Sequence, residues 1–221
     1  MSLYTIRPGD FRPTINTPRG LIIKECDDIE LLAFMGSVRP ENIRQRMAND
    51  HIAYVAWMQG VPAAFGWMAR GKAFIGELGH DMVLPLRHRY LWNFRTLKAF
   101  RGMGIYPALL QFIVQAEEKK TAAFWIIHAP ENRSSLKGIQ KAGFNYVGRL
   151  YNDEGHATID SGDFSEKFRG ELTQMGFSFS KNEPSSCWNC SSPYLKKRTR
   201  YCCCETVRES CVGKEPSLLE V

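Results

Sequence analysis

A short stretch with two glycines has the residue types needed to bind an anion through its backbone. The sequence Arg-Gly-Met-Gly-Ile-Tyr at residues 101–106 lies between a segment typical of a β-strand, residues 90–96, and one typical of a helix, residues 108–120. Two glycines so close together let successive N–H groups point the same way, and a helix start adds free N–H groups and a positive dipole end. Pro107 fits the first helical turn, where its missing N–H is not needed. The stretch therefore predicts a phosphate-binding turn.

Two common phosphate-binding loops do not fit this stretch. The loop of mononucleotide-binding enzymes ends in Gly-Lys-Ser/Thr, and no such ending follows here. The dinucleotide-binding loop needs a third glycine three residues after the second, and that position is Pro107. A plain tight turn before a helix remains the structural alternative.

A second pattern follows the helix. Residues 122–129 contain Ala-Ala-Phe-Trp-Ile-Ile without interruption, which is typical of a central, parallel strand covered on both faces. Asn132 is a suitable helix cap, and Gly143 a suitable helix end before a further strand at residues 146–151. Strand, helix and parallel strand form a βαβ unit, with the glycine turn at the carboxyl end of its first strand, where ligands bind in open α/β sheets.

Both patterns, in this order, resemble the signatures of the GNAT acetyltransferases over residues 20–155. The family's loop has Arg or Gln, two residues, Gly, one residue, then Gly or Ala, and Tyr106 departs from it at the last position. Its second signature is an Asn, a short helix and Gly-Phe, as in Asn132 and Gly143-Phe144. The resemblance implies an α/β fold with a central mixed sheet flanked by helices. It also implies an enzyme that moves an acetyl group from acetyl-CoA to an amine by direct transfer.

The resemblance assigns ten residues to CoA binding. The loop would hold the pyrophosphate, the end of the preceding strand would pair with the pantetheine arm, and a bulge in that strand would admit the arm. The assigned residues are Thr96, Leu97, Arg101, Gly102, Met103, Gly104, Ile105, Tyr106, Asn132 and Ser135.

For the two proton transfers of the reaction, the sequence offers several candidate groups. A base must take a proton from the incoming ammonium. The candidates are Glu77, His80 and Asp81, which lie on the segment before the cofactor strand, and we predict that Glu77 is the base. Many family members protonate the leaving thiolate with a Tyr seven residues after the Asn, but this chain has Ile139 there. We predict Tyr106 as the substitute. Tyr151, solvent and an unassisted thiolate remain alternatives.

A different class of function also fits these departures. Ile139 and Tyr106 are compatible with a non-catalytic CoA-binding or zinc-knuckle interaction module that keeps the fold without the chemistry. Trp92 and Phe94 line either an acceptor pocket or the core. The acceptor and the oligomeric state, a homodimer included, stay open.

A cysteine-rich segment ends the chain. Cys187 and Cys190 form a Cys-x-x-Cys pair, followed by three adjacent cysteines and Cys211. This spacing predicts a structural zinc site with Cys187, Cys190, Cys203 and Cys211 as ligands, although Cys202 and Cys204 could substitute. A redox dithiol, free thiols and disulfides are the alternatives. We therefore expect an acetyltransferase domain at residues 1–160, a linker at 161–183 and a zinc-binding segment at 184–221.

Charge and composition agree with a polyanionic ligand. The chain of 221 residues has a net charge of +6, and residues 51–150 carry thirteen basic and five acidic side chains. That field favours CoA, although it would also favour nucleic acid, which we do not predict as a partner. No run approaches the ~20 apolar residues of a membrane span, so we expect no membrane partner. The first nineteen residues lack the apolar block of a secretory signal, and we expect a cytoplasmic location.

Further elements follow from local patterns. We predict helices at residues 27–38 and 40–47, and strands at residues 20–24, 51–58, 61–68 and 74–83. Gln59-Gly60 indicates the turn of a hairpin.

Overall fold

The fold is a sheet flanked by helices, and a computed structural model describes it for residues 1–129, 132–153, 155–160 and 162–181. These ranges contain eleven strands and five α-helices. The strands are β1 Ser2–Ile6, β2 Leu21–Cys26, β3 His51–Met58, β4 Val61–Ala69, β5 Lys72–Ile75, β6 His80–Val83, β7 His88–Thr96, β8 Ala123–His128, β9 Asn145–Asp153, β10 His156–Asp160 and β11 Ser178–Ser180. The helices are α1 Ile29–Gly36, α2 Pro40–Ala48, α3 Ile105–Glu117, α4 Arg133–Lys141 and α5 Glu166–Gln174.

Nine strands of the described residues form one sheet, in the order β11-β10-β9-β1-β8-β7-β4-β3-β2. Neighbours are antiparallel except for β7 with β8 and β10 with β11, which are parallel. β8 is the middle strand, and Ile127 is its single residue that is not buried. The expected fold class, a mixed sheet flanked by helices, is confirmed, and so are the central place of β8 and its parallel pairing with β7.

The two faces of the sheet have different covers. On β8, Phe124 and Ile126 pack with α3 and α4, whereas Ala123 and Trp125 pack with α5 and the β5–β6 hairpin. Successive side chains of a strand point to opposite faces of the sheet, so these two sets of elements lie on opposite faces. We call the face covered by α3 and α4 the α3/α4 face. Helices α1 and α2 pack over β3 and β4 beside the hairpin, on the opposite α1/α2 face.

Local signals account for several element ends. The Asp28 carboxylate accepts from the N–H of Leu31 at 3.0 Å and caps α1. The Asn132 side chain caps α4, and Gly143, with a φ of 93°, follows its end. Gln59 and Gly60 both have positive φ and connect β3 to β4, which confirms the predicted hairpin.

The single strand predicted at residues 74–83 is wrong. The chain turns back there, so that β5 and β6 form a separate two-stranded sheet. The N–H of Leu78 donates to the Ile75 carbonyl at 3.1 Å, and the N–H of Gly79 to that of Gly76 at 3.3 Å. Two glycines in four residues make this reversal easier than continued extension.

Two parts of the fold are not anticipated by the sequence patterns. Strand β1 inserts between β8 and β9, antiparallel to both. Helix α5 and strand β11 fall within residues 161–183, where a linker is expected, yet Leu172, Met175 and Phe177 are buried against the sheet and β11 pairs with β10. The folded unit therefore extends to Ser180, past the boundary expected at residue 160. The segment at 184–221 lies outside the described residues.

Candidate active site

The glycine loop leads from the end of β7 to the start of α3. One turn of 3-10 helix at Lys98–Phe100 follows β7, and residues 101–104 then bring the chain to Ile105. Gly102 and Gly104 have φ values of 81° and 78°, which L-residues rarely adopt. A Cβ at Gly102 would have no heavy atom within 4 Å. The loop therefore presents bare backbone to open space.

The start of α3 has no capping side chain. Gly104 is its N-cap residue, and no side chain of the described residues caps it. The first helical hydrogen bond runs from the N–H of Ala108 to the Gly104 carbonyl at 3.4 Å. The N–H groups of Ile105 and Tyr106 have no acceptor within the described ranges and lie at the positive end of the helix dipole. This arrangement suits an anion.

The chain itself uses several backbone groups just before the loop. The Nε–H of Arg101 donates to the Thr96 carbonyl at 3.3 Å. The N–H of Leu97 donates to the Ala63 carbonyl at 2.8 Å, and the Leu97 carbonyl accepts from the N–H of Phe100 at 2.9 Å. These bonds brace the loop. Pairing of Thr96 and Leu97 with the pantetheine arm stays a prediction, since each carbonyl has a second lone pair.

Strand β7 separates from β8 halfway along its length. Their parallel pairing ends at Leu91 opposite Ile126. Against β4, Trp92 pairs with Trp67 and Arg95 with Phe65, so that β7 has one extra residue in between. Asn93, in this bulge, has a φ of 50°. A bulge bends its strand, and beyond Leu91 and Ile126 the two strands no longer pair; we call this unpaired region next to the loop the slot. The bulge expected on this strand is confirmed.

Two aromatic rings lie on glycines at the α3/α4 face of the slot. A Cβ at Gly66 would be 2.1 Å from the ring of Phe94, and a Cβ at Gly138 would be 2.2 Å from the ring of Tyr106. The centroids of the two rings are 5.4 Å apart. Each ring therefore occupies space that exists because its partner has no side chain.

Tyr106 starts on α3 but reaches the first turn of α4. Its hydroxyl lies 3.3 Å from Oγ of Ser135, and burial raises the pKa of Tyr106. The side-chain oxygen of Asn132 accepts from the N–H of Ser135 at 3.0 Å, so that it already caps the helix. Ile139 is fully buried in the core. Tyr151, the other tyrosine considered, is buried on β9 opposite Thr158 of β10.

The three candidate bases occupy different places on the β5–β6 hairpin. Glu77 lies in its turn, and burial together with the nearby Glu77 carboxylate raises the pKa of Tyr90, two residues before Trp92 on β7. The Nε2 atom of His80 lies 2.8 Å from the Met175 carbonyl, a contact with the end of α5. Asp81 is exposed on β6. The Glu77 carboxylate therefore acts on a residue of β7.

Sequence patterns missed a cluster on the α1/α2 face of the bulge. The guanidinium carbon of Arg46, from α2, lies 4.7 Å from the ring centroid of Trp92 and 5.2 Å from that of Trp67. With its side-chain oxygen facing the guanidinium, Asn93 accepts from Arg46 at 2.8 Å. Burial lowers the pKa of Arg46. The ring of His51 meets Trp92 edge-on, with centroids 5.3 Å apart. In the sequence, Asn93 is the one residue of this cluster that could have indicated the bulge, because Asn tolerates the left-handed backbone conformation.

The predicted zinc ligands Cys187, Cys190, Cys203 and Cys211 lie outside the described residues, and the zinc site stays a prediction. Among the residues that are described, no group of three or more His, Cys, Asp or Glu side chains is arranged to hold a metal ion. None of the described helices has the length and apolar character needed to cross a membrane.

Comparison with known proteins finds similar solved structures. No protein-family model matches the chain, and no curated protein does. A GNAT-family acetyltransferase from Colwellia psychrerythraea is 14% identical, with a TM-score of 0.46 over 66% of this chain and 52% of that one. AAC(6')-Iy in complex with a CoA-S-monomethyl-acetylneamine bisubstrate analogue is 17% identical, with a TM-score of 0.48 over 61% of this chain and 97% of that one. The ribosomal-protein-S18-alanine N-acetyltransferase from Escherichia coli is 16% identical, with a TM-score of 0.46 over 57% and 77%. The chain thus spans about half the length of the Colwellia protein.

Proposed function

We propose that this chain is a GNAT-type N-acetyltransferase that moves the acetyl group of acetyl-CoA directly to an amine. One observation carries the proposal: the strand that separates from its parallel neighbour leads, through one 3-10 turn and the glycine loop, to the uncapped start of α3. A phosphate site and a slot therefore lie side by side, which suits a substrate with a diphosphate on a long, thin arm.

The binding roles follow from this arrangement. The N–H groups of residues 102–106 hold the pyrophosphate, with the side chains of Arg101 and Met103 beside it. The arm enters the slot between β7 and β8, where Asn132 and Ser135 lie at the start of α4. The excess of basic residues in this part of the chain favours such a polyanion.

The reaction needs two proton transfers. The amine nitrogen forms a bond to the thioester carbon, and the C–S bond then breaks with its electron pair leaving on sulfur. Glu77 takes the proton that the ammonium loses, and Tyr106 gives its proton to the thiolate. The Tyr106 phenol is protonated at neutral pH, and burial raises its pKa, which makes it a weak acid toward the thiolate. Holding both reactants in attack geometry supplies most of the rate enhancement.

Replacement of Gly102 by Ala tests the phosphate site. We expect the dissociation constant of CoA to rise about tenfold or more, because a side chain would strain a positive φ and stand in front of the bare amides. Gly60→Ala is the matched control, since Gly60 has a φ of 83° and equally open space in the β3–β4 turn. Titration calorimetry with CoA measures both variants, and thermal melting checks their folding. A Gly102 variant that binds CoA as tightly as the Gly60 variant would contradict the proposal.

Two variants test the proton transfers. We expect Tyr106→Phe and Glu77→Gln each to lower kcat about 100-fold or more, with the affinity for CoA unchanged. Thiol release from acetyl-CoA measures the rate. Asp81→Asn is the control, because Asp81 is exposed on the same hairpin. If the pH dependence of turnover is the same in Glu77→Gln as in the parent chain, Glu77 is not the base.

One observation favours a second candidate function, a CoA-binding module without catalytic activity. Ile139 stands at the position of the family's proton-donating tyrosine and cannot donate a proton. A module that binds CoA without catalysing a reaction would not need a proton donor there. A folded chain that binds CoA but releases no thiol with any of a broad panel of amines would favour that module.

A further inference from the structure

The slot between β7 and β8 has different covers on its two faces. On the opposite face, Phe94, Tyr106 and helix α4 cover it. On the α1/α2 face, Trp92 is half-buried and packs against both neighbouring clusters, the one under α1 and α2 and the one under α5 and the β5–β6 hairpin. If CoA binds on the face of Phe94 and Tyr106, an acceptor amine approaches from the other face, over Trp92.

Arg46 brings an unbalanced positive charge to this approach. It is half-buried above Trp67 and Trp92, and no carboxylate of the described residues lies within 4 Å of its guanidinium. Its neighbour on α2, Arg44, pairs instead with Glu41. A partly desolvated cation is unfavourable unless an anion balances it. A negatively charged group of a ligand would supply that balance.

Buried ring nitrogens in the same cluster also have no partners. Nε1 of Trp67, Nε1 of Trp92 and Nδ1 of His51 are buried and make no hydrogen bond to any described residue. Buried polar atoms in native structures are nearly always paired. The two indole groups and the guanidinium are donors, whereas the acceptors of the cluster are the Asn93 oxygen and Nδ1 of His51, whose Nε2 faces the Lys72 carbonyl, so that donors outnumber acceptors.

A second arginine extends the charge along β7. Arg95 lies two residues after Asn93, and its Nη1 donates to the Met35 carbonyl at 3.2 Å and to Oγ of Ser37 at 3.0 Å. These bonds hold it against the end of α1. It too has no carboxylate partner in the part of the chain that is described. Most of its five N–H donors remain available.

We propose that the acceptor carries an oxyanion, a carboxylate or a phosphate, close to its reactive amine, and that Arg46 binds this group over Trp92. The inference rests on the proposed function and names the substrate class of the same site. A guanidinium fits a carboxylate or phosphate through two parallel hydrogen bonds, and Arg95 adds charge of the same sign. A polycationic acceptor would be repelled.

Matched pairs of acceptors test the substrate class. The pairs are L-phenylalanine with L-phenylalaninamide and O-phosphoethanolamine with ethanolamine, and kanamycin serves as a polycation. Thiol release from acetyl-CoA gives kcat/KM for each compound. In at least one pair, we expect the anionic member to exceed its neutral partner about tenfold or more, with kanamycin below both, and the pair that discriminates identifies carboxylate or phosphate.

Variants on α2 separate binding from structure. We expect Arg46→Gln to lower kcat/KM for the anionic member about tenfold through KM, to change the neutral member less than about twofold, and to leave CoA affinity unchanged. Arg46→Lys should retain part of the preference. Arg44→Gln is the control on the same helix, and thermal melting confirms that each variant folds.

A binding measurement keeps this inference separate from the transfer reaction. Calorimetry in the presence of CoA compares N-acetyl-L-phenylalanine with its amide, and free phosphate with buffer alone. If no amine releases thiol but an anion still binds in a manner that depends on Arg46, the transferase proposal fails and the anion site stands. Two results would overturn the anion site. One is that neutral acceptors have the same kcat/KM, and neutral probes the same affinity, as the anionic ones. The other is that Arg46→Gln lowers these values equally for neutral and anionic compounds.

Discussion

At the level of single residues, the departure from the expected motif at Tyr106 is matched by a glycine on α4. Tyr106 occupies a position at which the family has a small residue, and its ring fits because Gly138 leaves space on α4. The hydroxyl then lies beside Ser135, on the same helix as Ile139. A tyrosine hydroxyl from α3 thus reaches the first turn of α4.

Gly138→Ala tests this contact, because its effect on the free energy of unfolding should change sign when the Tyr106 ring is removed. In the parent chain we expect a loss of about 1–3 kcal/mol in the free energy of unfolding, because the new Cβ would overpack against the Tyr106 ring. In a Tyr106→Ala background we expect a gain of up to about 1 kcal/mol, since Ala favours a helix more than Gly does. Urea unfolding of the four proteins measures both values. The same sign in both backgrounds would mean that the ring does not lie on Gly138.

Local residue signals predicted the glycine turn and the cap of α4 but not the cluster around Arg46. The glycine loop and the Asn132 cap depend on neighbours in sequence, and their positive φ values and cap geometry follow from residue type. The stack of Arg46 on Trp92 joins residues 46 positions apart in the sequence, and no local pattern specifies such a contact.

At the level of elements, a polar cluster docks α5 onto the sheet. Arg7 pairs with Glu171 of α5, and its guanidinium carbon lies 5.1 Å from the ring centroid of Phe168. The indole N–H of Trp125 donates to Nδ1 of the buried His88 at 3.0 Å. The other nitrogen of His88 lies 3.9 Å from the Glu171 carboxylate. Helix α5 is thereby coupled to the residue after β1, to β7 and to β8.

This cluster predicts a dependence of stability on pH. Burial lowers the pKa of His88, an effect that Glu171 opposes and Arg7, Arg89 and Lys167 add to. In the unfolded chain the pKa is about 6.5, so below that pH the unfolded state binds protons more readily than the folded state. The free energy of unfolding should therefore fall as the pH drops through this value, and His51, whose pKa is also lowered, adds to the fall.

Urea unfolding between pH 7.5 and pH 5 checks the dependence, and His88→Gln should make it shallower. His156→Gln is the control, because His156 is exposed on β10. An unchanged slope in His88→Gln would show that this histidine does not contribute.

At the level of the whole molecule, the folded unit depends on its last described elements. Leu172, Met175 and Phe177 pack against the same face as the β5–β6 hairpin. Complete burial of such side chains contributes roughly 1.5–3 kcal/mol each. Their sum is comparable to the whole free energy of unfolding of a typical domain, about 5–15 kcal/mol.

Truncation tests this dependence. We expect a chain that ends at Asp160 to be unfolded or aggregated, since it would expose the apolar partners of α5, and a chain that ends at Lys181 to fold. Circular dichroism and thermal melting of the two chains provide the measurement. A cooperative melting transition in the shorter chain, near the temperature of the longer one, would contradict the prediction.

The order of elements in the βαβ region could be predicted, whereas the complete sheet could not. Strands β7 and β8 and helix α3 have apolar patterns that are sufficient in themselves. Strand β1 is five residues long and is specified by its pairing with β8 and β9, and the three residues of β11 by pairing with β10. Such elements depend on partners distant in sequence, which local propensity does not contain.

The rings that rest on glycines at the slot have an evolutionary consequence. Positions 66 and 94 form one reciprocal pair, and positions 106 and 138 another, because a larger residue at either glycine needs a smaller one opposite it. Across sequences descended from a common ancestor, the two members of each pair should covary. A relative with a small residue at position 106 would then be free to carry a side chain at position 138.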